Sequence, residues 1–120
     1  AMPNEAERLP WYLTLLCWIS ITGPLLAIPT ALLQRDAIFA RFPKLTTPLL
    51  ATQIAFALVG VVGSALILGR RRAGFWLIVV SGTGVVVTDL LYESHAHAAV
   101  AAGLTAVLGA AAHGSRRALR

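Results

Sequence analysis

A chain of 120 residues that is 58% hydrophobic and only 12% charged, with a mean hydropathy of +0.76, cannot coat itself for water; a soluble domain carries roughly 25% charged residues. The length excludes a second domain, and a single cysteine, Cys17, excludes an intramolecular disulfide. The formal charge of +5 does not track a groove; its Lys and Arg fall in the gaps between apolar runs, which excludes nucleic acid and makes the lipid bilayer the expected partner.

The pattern predicts an all-α integral membrane protein, a bundle of four transmembrane helices with a short interfacial helix between the first and second, in one domain over 1–120. A β-barrel would need alternating apolar and polar residues, which are not there. The first span covers about 12–33, entered through Trp11 and Tyr12 at an aromatic belt. Pro24 and Pro29 inside it predict a kink, with the freed carbonyls answered by neighbours or Thr22. The segment lacks a basic leader and an Ala-x-Ala site, so it is expected to be retained. Leu15 and Leu16 also fail as a lipoprotein signal before Cys17, which reads as a small buried apolar residue. Ala1 ahead of Met2 reads as an added residue.

In the connection 34–47, Ile38, Phe39, Phe42 and Leu45 share one helical face, while Arg35, Asp36, Arg41 and Lys44 point elsewhere. That predicts a short interfacial helix stopped by Pro43, either a surface connector or a lid over the bundle. The second span, 48–68, starts with Thr47 as N-cap and Pro48 in the first turn. Gly69 ends it, and Arg70, Arg71 and Arg72 follow, favourable beside the negative end of the helix dipole. The third span, 73–92, opens with Phe75 and Trp76; the fourth, 96–113, is closed by Gly114, with His113 complementing its dipole. Ala98, Ala102, Ala106 and Ala110, with Gly103 and Gly109, form a small-residue ladder, and Gly60 and Ser64 offer another. Such ladders either pack the helices together or join two copies as a homodimer.

Four crossings put both termini and the 69–73 loop on one side, with Arg8, Arg70, Arg71, Arg72, Arg116, Arg117 and Arg120. The other side has Arg35, Arg41 and Lys44. Seven against three predicts cytoplasmic termini in a cell membrane, inner or plasma.

Ionisable groups inside the spans are concentrated at the end of the third, in Thr88-Asp89-Leu90-Leu91-Tyr92-Glu93-Ser94-His95-Ala96-His97. Asp89 and Glu93 stand one helical turn apart, with Val86 and Gly82 continuing their stripe inward. A charge in hydrocarbon costs roughly 2.5–3.5 kcal/mol, so such groups face an interior or a cavity. Carboxylates near a helix C-terminus also oppose the dipole, which calls for compensation. A short turn returns His95 and His97 over the same helix end and makes a proton-exchanging cluster. Asp89, Glu93 and His97 are therefore the catalytic candidates: acceptor or cation partner, modulator and relay. Gln53, Thr88, Tyr92 and His95 are the ligand-binding candidates. Asp89, Glu93, His95 and His97 also suit zinc or iron in ligand type, without a diagnostic spacing. The competing reading is a solvated surface turn with Asp89 snorkelling to water. No sequence feature names a cofactor.

Three functions follow as expectations. The first is binding of a lipophilic small molecule in an outward-opening cavity floored by Asp89 and Glu93, with acid–base chemistry there. The second is an oligomeric proton-coupled transporter, and the third an accessory subunit of a larger membrane complex. The layout of four short spans, a proline-bearing first helix and acidic residues near the outer ends is similar to the sterol-isomerase and sigma-2 receptor fold. The resemblance is of architecture, and Gln53 stands where that family carries an acid. Small multidrug transporters share the size and span count but need an acid in the first helix, which this chain lacks.

Overall fold

The computed structural model describes residues 8–120. Its helices are α1 (Trp11–Leu33), α2 (Arg35–Arg41), α3 (Thr47–Leu68), α4 (Ala73–Leu91) and α5 (His95–Gly114), followed by a 3-10 turn at Arg116–Ala118. Four of them, α1, α3, α4 and α5, are long and apolar enough to cross a membrane. Val62, Val80, Val87 and Val107 are exposed on these helices, a surface that lipid solvates and water does not.

Local chemistry sets the helix ends, and several fall slightly away from the sequence expectation. Thr46, not Thr47, caps α3: its Oγ1 accepts from the Leu49 N–H at 3.4 Å, with Pro48 just inside the helix. Gly69 does not supply the left-handed turn after α3. Arg70 does, with φ 64°, and the Arg71 N–H reaches back to the Leu66 carbonyl at 2.7 Å. The end of α4 repeats this device with Glu93 at φ 65° and the Ser94 N–H on the Asp89 carbonyl at 2.8 Å. Gly114 is the last residue of α5 rather than its left-handed stop. α1 runs as one helix through Pro24 and Pro29; Thr30 donates to the Leu26 carbonyl of its own helix at 2.8 Å, which is not one of the carbonyls the prolines free.

Glycines bring α4 against both neighbours. A Cβ on Gly63 would lie 3.0 Å from the Gly74 carbonyl oxygen, and one on Gly74 would lie 2.9 Å from the Ile67 nitrogen, so these two backbones meet without side chains between them. Gly60 faces Ser81, Gly84 faces the Phe56 ring, and Gly82 faces Thr105 of α5. α4 packs between α3 and α5, and α1 completes the ring by leaning on α3 and, more lightly, on α5. The alanine ladder does not make these contacts: Ala98 is buried, whereas Ala102, Ala106 and Ala110 face outward.

One end of the bundle is tight. Leu13 and Cys17 of α1 are buried with Ile67, Ile78, Leu108 and Ala112 and with Leu119 from the C-terminal tail. The tail is tied to the α3–α4 loop: the Arg72 N–H donates to the Arg120 carbonyl at 2.8 Å, and the Arg120 N–H to the Arg70 carbonyl at 2.7 Å. Arg70 Nε and Arg72 Nε reach the Ala118 and Leu119 carbonyls at 3.0 and 3.1 Å. Past Cys17, no residue of α1 is buried, and a chamber separates it from the other three helices.

Candidate functional site

Asp89 sits in the last turn of α4 with no exposure to solvent, so it does not snorkel. Hydrogen bonds from three elements compensate its burial. Gln53 Nε2 of α3 donates to Oδ1 at 2.6 Å, and the Tyr92 hydroxyl reaches the same oxygen at 2.8 Å. That hydroxyl also lies 2.8 Å from Gln53 Oε1, so one phenolic proton is shared between two acceptors. His97 of α5 approaches Oδ2 through Nδ1 at 2.6 Å. An ionised carboxylate only accepts, so against it Nδ1 is the donor, and Nε2 is the ring nitrogen left out of the pair. The exposed imidazole and the sealed carboxylate thus form a pair with one face to the protein and one to the outside.

Glu93 departs from its expected place. α4 stops at Leu91, so Glu93 does not continue the Asp89 stripe; the left-handed turn swings it outward to Lys44, Oε1 to Nζ at 2.6 Å. The Lys44 hydrogen bond and charge hold the Glu93 carboxyl below its ordinary value of 4.5. Stability from this pair is therefore present above the unfolded value and lost as pH falls through the lower folded one. Thermal midpoints of wild type and Glu93→Gln in one detergent should differ slightly at neutral pH and low salt, and converge in acid. A gap that persists in acid would mean the pair is not its source.

The other candidates separate in the same way. Thr88 spends its hydroxyl on the Gly84 carbonyl of its own helix at 2.7 Å. His95 is exposed at the start of α5 and acts on Glu93 only through its charge. His113 lies beside the Phe75 ring, centroids 6.2 Å apart. Among the described residues, no three of His, Cys, Asp and Glu gather as a metal would need. Of the metal candidates, only Asp89 and His97 meet.

Beside this pair lies an apolar chamber of about 700 Å³. Gln53, Tyr92 and His97 face it, and Asp89 stands behind them. The exposed Arg41 and His97 mark its open end, where Ile38, Phe42 and Leu45 place α2 and the following turn over the mouth. The Phe42 ring meets Tyr92 edge-on, centroids 5.4 Å apart. Side chains of α1 from Ile19 to Ala31 form one wall.

The floor is not made by Asp89 and Glu93, neither of which lines the chamber. The buried Ile78 and Leu108 close it, beside Ser64, which has no exposure at all. Ser20 and Ser64 both line this region, and neither hydroxyl oxygen has a hydrogen-bond partner. An unmade bond at a buried polar group costs about 1–3 kcal/mol. No sequence signal distinguished these serines from those that bond their own helix.

No protein-family model, no curated protein and no solved structure matches the chain.

Proposed function

We propose that the protein binds a lipophilic small molecule in the chamber between α1 and the other three helices, and that the Asp89–His97 pair does acid–base work at its mouth. The observation that carries this reading is an apolar chamber of about 700 Å³ with a held imidazole at its open end. That volume and lining suit a drug-sized apolar ligand with a few polar anchors. Asp89 fixes the imidazole through Nδ1. Nε2 is then free to take a proton from a polar atom of the ligand or to return one. Gln53 and Tyr92 hold Asp89 in place and are positioning residues. We further propose that the arginine end faces the cytoplasm of a cell membrane, since seven of the ten basic residues lie there, and that the chamber opens on the opposite face.

Native mass spectrometry of protein released from lipid nanodiscs tests this reading. Wild type should carry a discrete adduct. Asp89→Asn should weaken it because His97 loses its anchor, and Ala57→Trp should abolish it by filling the chamber that Ala57 lines, with helicity checked by circular dichroism. Bare wild-type protein, or identical lipid adducts on all three, would retire the reading.

A further inference from the structure

Four hydroxyl-bearing residues, one from each long helix, stand around the floor of the chamber: Ser20 of α1, Ser64 of α3, Ser81 of α4 and Thr105 of α5. Ser20 stands one turn from the buried Cys17, and Ser64 one turn from the buried Ile67, so both lie one layer above the tight core. Ser81 donates to the Phe56 carbonyl at 2.6 Å. Ser20 and Ser64 are buried hydroxyl oxygens without partners. The Ser20 carbonyl adds a further acceptor, because Pro24, four residues on, has no N–H to offer it. A dry apolar pocket gains nothing from such groups, and helix packing alone does not call for them, since both oxygens go unused by the neighbouring helices.

The two ends of the chamber therefore differ from its walls. At the mouth, Arg41 lines the opening with no carboxylate partner among the described residues, the ion pairs there being Lys44–Glu93 and His97–Asp89. At the floor, neutral hydroxyls wait. From the level of Gln53 to that of Ser64 is eleven residues of α3, about 16 Å at the rise of an α-helix. An extended chain of about twelve carbons, at roughly 1.3 Å per bond along its axis, covers that span.

We propose that the floor at Ser20 and Ser64 is a hydrogen-bonding subsite, so that the ligand of the chamber is polar at both ends: an elongated apolar body with an acidic head at Arg41 and His97 and a hydroxyl or carbonyl at its buried tip. This rests on the chamber being a ligand site, as proposed above. The acid is held at the mouth by the guanidinium and by the imidazole, whose Nε2 takes the acid's proton. The buried tip completes the hydroxyls that the helices leave open. A plain fatty acid fits the walls but leaves the floor unsatisfied.

The test compares dodecanoic acid with 12-hydroxydodecanoic acid, titrated into nanodiscs and read as bound fractions by native mass spectrometry. The ratio of their affinities is taken in wild type and in a Ser20→Ala/Ser64→Ala double variant, so that differences in partition into the lipid cancel. The ratio should fall about tenfold in the double variant, the worth of roughly one net hydrogen bond, with dodecanoic acid binding unchanged. The double variant removes only unpartnered hydroxyls, and an unshifted thermal midpoint will show that it folds. An unchanged ratio would overturn the proposal and assign the serines to an ordered water, leaving the chamber as a site for a singly polar molecule. If neither acid binds wild type, the proposal of a ligand polar at both ends falls, while the adduct experiment still decides whether the chamber holds a ligand.

Discussion

Replacing Asp89 by alanine should cost about 3–5 kcal/mol of stability, because it removes at once three hydrogen bonds to a buried carboxyl group, each contributing about 1–3 kcal/mol. The carboxylate is the point on which Gln53, Tyr92 and His97 converge. Its loss leaves the Gln53 amide without its acceptor, the Tyr92 hydroxyl with Gln53 Oε1 alone, and the His97 imidazole without its anchor. It also unties α3, α4 and α5 from one another at the open end of the bundle, away from the close approach of Gly63 and Gly74. Asp89→Asn should cost less, about 1–3 kcal/mol. Its Oδ1 still accepts from Gln53 and Tyr92, but its amide N–H faces Nδ1 of His97, which must give up its own proton there. Unfolding in mixed micelles, followed by circular dichroism, gives the order wild type, Asn, Ala. An alanine variant as stable as wild type would show that the network does not hold the bundle together.

The second large effect is expected where α3 and α4 touch. Gly74→Ala and Gly63→Ala would each place a Cβ against backbone of the facing helix, for Gly63 at 3.0 Å from the Gly74 oxygen and 3.1 Å from the Ile78 nitrogen. Backbone cannot rotate out of the way as a side chain can, so the helices must separate, at about 1–3 kcal/mol for each substitution. Gly103→Ala is the control. Nothing lies within 4 Å of its added Cβ, and a helical alanine is favoured over glycine by roughly 0.5–1 kcal/mol. The same unfolding experiment should move Gly74→Ala and Gly103→Ala in opposite directions. If both moved together, the close approach of α3 and α4 would not be a source of stability.

The spans could be read from the sequence because length and apolar content suffice for that, and α1, α3, α4 and α5 fall within about two residues of their expected limits. Rotation about the helix axes could not be read. These helices are apolar all round, so periodicity does not say which face turns inward. That is why the sequence left the Ala102–Ala106–Ala110 ladder open between packing the four helices and joining two copies, and only the structure shows it on the outside of the bundle. Asp89 and His97 were legible because a charge in a span needs a partner, and Gln53 because it is polar within one. Glu93 was misplaced by one assumption, that α4 continues to it. The left-handed residue that ends α4 is not a glycine, so nothing in the local composition marks the stop. Ser20 and Ser64 look like any serine in an apolar helix, and their unused hydroxyls become visible only once four helices surround a common space.

The tight end of the bundle also sets an order of events during synthesis. Its core joins Leu13 and Cys17 to Leu119, which leaves the ribosome about a hundred residues later. α3 and α4 can pair through their glycines as soon as both are inserted, and α5 can follow. α1, though made first, can lean on α3 early, but its buried Leu13 and Cys17 are closed in only when Leu108, Ala112 and Leu119 arrive. The tight end of the bundle is therefore sealed last, when the C-terminal tail closes over the foot of α1.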